Sequence, residues 1–222
     1  KIIYGNALSQ DSLLLYVGSK TGNEGINGAA MASKTFKDNT ITDELIDNVQ
    51  KSDPFLEKLL LEACCEISHL KLVEGMQDMG AGGLLCATLE VVKRGREKLN
   101  SDLLGCNIYL DRVPTKYKMD PCNILISESQ ERMLIVCNKN HLISIERIFD
   151  KWDLEHSVIG ETNSLGKYNV FYDNDLMYSK HFQCFSDFHD YTNVPNQSKS
   201  WFNNAEKKYE NKFFIKNNDH SL

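Results

Sequence analysis

The sequence predicts an α/β (α+β) domain: a mixed sheet with packed helices. Three observations lead there. Short apolar runs, Leu13 to Val17, Arg132 to Cys137 and Tyr168 to Tyr172, read as buried strands. Between them lie stretches with apolar residues at helical spacing, such as Phe55, Leu59, Leu60, Ala63 and Ile67. Glycine-rich and polar segments punctuate the two kinds.

In order along the chain, Leu13 to Val17 ends at Gly18 and opens a loop with glycines at 18, 22, 25 and 28. Residues 37–52 are polar and read as loop. Asp53 then serves as an N-cap, Pro54 suits the first helical position, and Glu57 in the first turn complements the helix dipole. A second helix starts near Gly83, packs through Leu84, Leu85, Ala87, Thr88 and Val91, and ends near Gly95. Ile108 to Leu110 is a short strand, and Pro121 to Leu125 a turn or helix start. His141 to Trp152 is a helix with Leu142, Ile145, Ile148 and Phe149 on one face. Val158 to Glu161 and Tyr168 to Tyr172 complete the sheet. Beyond about Tyr191, Asn, Lys and Ser dominate, so a domain over 1–192 is expected to precede a polar linker or extension over 193–222.

With 222 residues, 41% of them hydrophobic, the chain has material for one sizeable core. A formal net charge of -6 without a basic stripe argues against nucleic acid as a partner. No apolar run approaches the roughly 20 residues a membrane helix needs. The start, Lys1-Ile2-Ile3-Tyr4, reads as strand and not as a secretory leader, and without an initiator Met the chain is expected to be a piece of a longer polypeptide. Seven irregularly spaced cysteines without a Cys-x-x-Cys pair favour neither a zinc site nor a disulfide framework. They read as mostly buried small hydrophobes in a reducing cytoplasm.

Two segments place polar groups against apolar or glycine-rich backbone, where packing alone would not choose them. The first is Gln77-Asp78-Met79-Gly80-Ala81-Gly82-Gly83-Leu84. Asp78 is either a magnesium ligand beside a phosphate-binding helix start or simply a helix N-cap. The second is Ser127-Glu128-Ser129-Gln130-Glu131-Arg132-Met133. Glu128, Ser129 and Gln130 either grip phosphate or ribose oxygens or form a polar strand end satisfied by backbone. Glu131 and Arg132 read as a structural ion pair. Gly22, Gly25 and Gly28 form either a phosphate-binding loop or a tight turn, and match neither common phosphate-loop pattern. Gln50 either points into a cleft at the helix start or is solvated. No Ser-His-Asp arrangement is implied.

These segments, in this order, resemble phosphoribosylformylglycinamidine synthase. The resemblance is carried by Gly18 to Gly22 with Gly25 to Ala29, Asp53 to Lys58, Gln77 to Leu84, Leu110-Asp111-Arg112-Val113-Pro114, and Ile126 to Met133, and runs to about Thr192. It implies the aminoimidazole ribonucleotide synthetase fold, here the α/β domain of the first half. It also implies a reaction in which ATP phosphorylates the formamide oxygen of formylglycinamide ribonucleotide and ammonia then displaces phosphate. Ammonia comes from a glutaminase domain or subunit, and Mg2+ balances the phosphate charge. Residue by residue, the resemblance makes Gln50, Glu128, Ser129 and Gln130 substrate contacts and Asp78 a magnesium ligand. Asn27 stands where the family often has His, and Arg94 to Asp102 looks like a longer, more charged loop than usual. The family's catalytic residues belong to an upstream domain, with further nucleotide contacts in a second half. The alternative is a non-catalytic ligand-binding or assembly module of the same fold. The Glu-Ser-Gln-Glu-Arg block at 128–132 disfavours selenophosphate and thiamine-phosphate enzymes.

Overall fold

A computed structural model describes residues 2–26 and 51–186. In chain order its elements are β1 (Leu13–Gly18), α1 (Pro54–His69), β2 (Gly75–Asp78), α2 (Gly83–Leu99), β3 (Gly105–Tyr109), α3 (Pro121–Ile126), β4 (Arg132–Cys137), α4 (Leu142–Lys151), β5 (His156–Asn163), β6 (Lys167–Tyr172) and β7 (Asp175–His181). The chain divides into two units, Lys1–Phe182 and Gln183–Leu222. The second is described only at the short helix Gln183–Ser186. Gln50, Gly28, Asn27 and the proposed extension over 193–222 lie outside the described residues.

The strands form one sheet in the order β2-β4-β1-β5-β3-β6-β7. Among the described strands, β3 and β6 alone pair in parallel. The expected mixed sheet with packed helices is therefore present. β1 lies inside the sheet, between β4 and β5, and is buried along its whole length. Side chains alternate across it. Leu13, Leu15 and Val17 join Ile135 and Cys137 in a core closed by Leu60, Ala63 and Ile67 of α1 and Ile145, Ile148 and Phe149 of α4. α2 covers the opposite face, where the Thr88 hydroxyl meets the Tyr168 hydroxyl at 2.9 Å.

α1 starts as its sequence directs: Asp53 Oδ1 accepts from the N–H of Phe55 at 3.1 Å and of Leu56 at 3.0 Å. Phe55 itself is 74% exposed, against expectation. The packed stripe runs Leu56, Leu60, Ala63, Ile67, about a hundred degrees round the helix from Phe55. α2 does not end at Gly95 but continues to Leu99, where Asn100 adopts the left-handed cap conformation. The charged segment from Arg94 is therefore largely helix.

Two strands were not expected. β2 has no β-branched residue and exists through its pairing with β4. β7 is an exposed edge strand without apolar alternation. It returns from β6 through Asp173 and Asn174, both at positive φ, as a two-residue hairpin turn requires. Ile2 to Tyr4, expected as strand, runs as coil, with Tyr4 O accepting from Met76 N at 3.4 Å. The cysteines also depart from expectation. Only Cys106 and Cys137 are buried, while Cys65, Cys86, Cys122 and Cys184 are exposed, because their positions fall on outer helix faces and helix ends. All seven are unpaired.

Gly95 lies inside α2, where alanine is intrinsically favoured by about 1 kcal/mol. A Cβ there would meet Ala7 O at 2.0 Å and Leu104 Cδ2 at 2.9 Å. Gly95→Ala is expected to destabilise by about 1–3 kcal/mol in spite of helix propensity. Urea denaturation checks the sign; a more stable variant contradicts the close approach.

Candidate functional site

Antiparallel register brings three loops to one end of the sheet. Gly18, the last residue of β1, pairs with Arg132, the first of β4. Asp78, the last of β2, pairs with Met133. The loop after β1, the turn after β2 and the loop before β4 are thus neighbours, although more than a hundred residues separate the first from the last.

Arg132 joins them. Its side chain is buried, with 3% relative exposure, and every hydrogen bond from its guanidinium has a protein acceptor. Nε donates to Ser129 O at 2.6 Å and Nη2 to Ser127 O at 2.6 Å. Nη1 donates to Thr21 Oγ1 at 3.1 Å, and Nη2 also reaches Met79 O at 3.5 Å. Burial pulls the guanidinium's pKa below its ordinary value, opposed by Tyr16, Glu24 and Glu128, which favour the cation. The expected ion pair with Glu131 does not form. Glu131 instead accepts from Asp53 N at 2.9 Å, tying this loop to the cap of α1. Its backbone sits at φ 55° with its carbonyl accepting from Ser19 N at 2.9 Å.

The predicted triplet divides by environment. Glu128 is buried and its Oε1 accepts from Gly82 N at 3.0 Å, placing a carboxylate at the N-terminus of α2. Its own N–H donates to Glu24 O at 3.0 Å. Ser129 is buried too; its hydroxyl accepts from Gly22 N at 3.0 Å and donates to Glu24 Oε2 at 2.5 Å. Gln130 is half-buried and folds back, Nε2 donating to Glu128 O at 3.0 Å. The close approach of Ser127 O, 2.1 Å from where a Cβ of Gly83 would lie, explains the glycine that opens α2 at φ 55°.

Asp78 is not an N-cap: α2 begins beyond it, with Gly82 in the cap position and no side-chain cap bond. Its carboxylate is exposed at the strand end, and Oδ1 accepts from Gln77 Nε2 at 2.9 Å. Asp78, Gly80 and Gln130 line one cleft of about 820 Å³, which continues over Leu60, Cys64 and Met76. Burial pushes the Cys64 thiol up to about 12, so it is no nucleophile.

The glycine loop offers fewer free amides than its composition suggested. The N–H of Gly18 donates to Glu155 O, of Ser19 to Glu131 O, of Thr21 to Pro114 O and of Gly22 to Ser129 Oγ. Glu24 was not singled out from sequence, yet its carboxylate accepts from both Lys116 and Ser129. Burial raises its pKa, but these bonds outweigh it and the net shift is downward. Lys116 and Glu24 were missed because single charges at loop positions carry no spacing pattern.

The family described as AIR synthase related protein, C-terminal domain, matches residues 10–173. The chain belongs to that family. It is 43% identical over 173 residues to phosphoribosylformylglycinamidine synthase subunit PurL of Wolinella succinogenes, covering 78% of this chain and 22% of the relative. A relative of the same name from Pelagibacter ubique is 42% identical over 176 residues, 79% of this chain and 23% of its own length. The chain therefore spans less than a quarter of the curated relatives it matches. Among solved structures, Thermotoga maritima PurL complexed with FGAR superposes with a TM-score of 0.73 at 38% identity, over 83% of this chain and 29% of that one.

Within this family domain Arg132 is the tie between the three loops. Lysine has no planar fork to span separate carbonyls. Arg132→Lys is expected to cost about 2–4 kcal/mol through unsatisfied buried groups. Chemical denaturation reads this directly, and wild-type stability in the variant would remove Arg132 from that role.

Proposed function

We propose that this chain acts as the first-half α/β domain of a phosphoribosylformylglycinamidine synthase, an ATP-dependent C–N ligase of purine biosynthesis. It contributes one wall of the site for formylglycinamide ribonucleotide. The reading rests on one observation above others. Two of the segments that carry the resemblance, Gln77 to Leu84 and Ile126 to Met133, meet at one sheet end with Asp78 and Gln130 on a common cleft. Support also comes from the identity to PurL and from the Thermotoga maritima PurL structures, one complexed with FGAR and another with ATP.

In this reading Gln130 is the side chain of the triplet that meets the ribonucleotide, and Glu128 and Ser129 hold its loop in place. Gln50 is a further substrate contact. Gly22, Gly25 and Gly28 belong to the loop that supports the grip, with Gly22 acting through Ser129. Asp78 suits Mg2+: among the described residues no three His, Cys, Asp or Glu side chains gather, and magnesium is commonly held by one or two carboxylates with substrate phosphates and water. When bound, the ion balances charge on the transferring phosphoryl group. Asp78, exposed at the end of β2, lines the cleft.

The partners are the remaining synthase domains and a glutaminase that supplies ammonia. The unpaired cysteines support a reducing, cytoplasmic setting. No helix among the described residues is long and apolar enough to cross a membrane.

Two measurements test the reading. In the complete synthase, Asp78→Asn is expected to lower magnesium-dependent turnover at least roughly tenfold, about 1.4 kcal/mol; an unchanged magnesium dependence removes the metal assignment. The purified 222-residue chain, given formylglycinamide ribonucleotide, ATP and ammonia, is expected to form no amidine. Turnover by the chain alone would show that its own residues suffice.

A further inference from the structure

Glu24 has both carboxylate oxygens engaged. Oε1 accepts from Lys116 Nζ and Oε2 from Ser129 Oγ, each at 2.5 Å. The Lys116–Glu24 pair is partly shielded, with side-chain exposures of 39% and 17%. It therefore keeps more of its strength than a fully solvated surface pair. The segment bearing Lys116 is itself fixed to the glycine loop. Thr21 N donates to Pro114 O at 2.8 Å, and Lys116 N donates to Thr21 O at 2.9 Å. A bridge pairs Thr21 with Thr115, and Asn23 N donates to Tyr117 Oη at 2.8 Å. Lys116 thus reaches Glu24 from a backbone that is already held in register.

The Ser129 hydroxyl has one proton and two lone pairs. Its acceptor alternatives are Ser127 Oγ at 3.1 Å, Gly22 O at 3.4 Å and Glu24 Oε2 at 2.5 Å. The short bond to an ionised carboxylate is the charge-assisted one and takes the proton. One lone pair accepts from Gly22 N at 3.0 Å. The hydroxyl's rotation is thereby fixed by Glu24. Ser129 is only 2% exposed, so it acts on the loop rather than at the cleft. The next residue, Gln130, is the one on the cleft.

We propose that Glu24 and Lys116 are positioning residues: the lysine fixes the glutamate, the glutamate fixes Ser129, and the Glu128–Gln130 loop is thereby set for the ribonucleotide. The inference rests on the reading above that Gln130 meets that substrate. The burial-opposed but net downward pKa of Glu24 agrees with a carboxylate kept ionised by its two donors.

The test is made in the complete synthase with Glu24→Gln, Lys116→Met, Ser129→Ala, Gln130→Ala and the double variant Glu24→Gln/Ser129→Ala. Glu24→Gln and Lys116→Met are each expected to raise KM for formylglycinamide ribonucleotide roughly tenfold, the equivalent of about 1.4 kcal/mol. kcat is expected to stay within about twofold, as for an interaction made equally in ground and transition states. Lys116→Arg, which restores a charged donor, is expected to return KM towards wild type. The double variant should be no worse than the poorer single one, because both changes break the same link. Lys116→Met lies on a partly exposed side chain, so it reports even if the Glu24 variant folds poorly. Wild-type KM in Glu24→Gln and Lys116→Met, with KM raised in Gln130→Ala, overturns the relay and leaves the site intact. A lower KM in Glu24→Gln also overturns it, because Glu24 would then be an anion competing with substrate. Wild-type KM in Gln130→Ala overturns the substrate reading itself, and the relay with it.

Discussion

The structure around the cleft depends on one buried cation. Removing a guanidinium from water costs several kcal/mol unless its donors are met. Arg132 meets that demand with the carbonyls of Ser127, Ser129 and Met79 and the Thr21 hydroxyl, and not with a directly paired carboxylate. The acceptors belong to three loops that share no local sequence. Each loop is held because it supplies an oxygen the cation needs. Glu24 and Glu128 favour the charged form from a greater distance, so the two acids also help keep a cation in the interior. Acid and base here are interdependent parts of one network, and neither is an isolated surface charge.

Sheet topology explains why such a hub is possible. Because β4 runs antiparallel to both β1 and β2, its first residue lies beside their last residues. The loops on all three then open at the same end. Helix packing secures this from both sides: α1 and α4 close one face of the central strands, and α2 lies on the other. Glu128 also accepts from the cap residue of α2, and Glu131 from the cap residue of α1. The loop before β4 is therefore pinned to a helix N-terminus on each side of the sheet, which leaves it little freedom to drift from the cleft.

What could be read from sequence follows from how local each cause is. The α1 cap was legible because Asp53 and Pro54 act within one turn, and β1 and β4 because continuous apolar runs must be buried. β2 was not, since Gly75 to Asp78 becomes strand only by pairing with a segment more than fifty residues away. Phe55 was misplaced because hydrophobicity alone does not reveal which stripe of a helix meets the sheet. At the site, Asp78 and Gln130 stood out as polar groups in unusual settings, and the fold brings them to one cleft. Arg132 was misassigned to its neighbour Glu131 because adjacency suggests an ion pair. Glu131, however, precedes the strand at a positive φ of 55°, which sends its carboxylate to Asp53 N, while Arg132 turns inward. Lys116 and Glu24 become meaningful only once the loops are assembled.

The shifted acidities among the described residues point in two directions. A general base or nucleophile working at neutral pH needs a pKa drawn towards that range. Here the shifted carboxylates, Glu24 and Glu66, move down, each held by a lysine. The shifted thiols move up under burial, Cys64 and Cys137 to about 12. Among the described residues, these shifts move the carboxylates and thiols concerned away from the neutral range. Polar groups on the cleft and in the loop behind it hold one another: Gln130 on Glu128 and Asp78 on Gln77 at the cleft, Ser129 on Gly22 and Glu24 behind it. Such an arrangement has its geometry fixed before a ligand arrives, which reduces the ordering cost of binding. In the function proposed above, such a wall would orient a ribonucleotide for groups that another domain brings, a division of labour in keeping with a chain that spans less than a quarter of its PurL relatives.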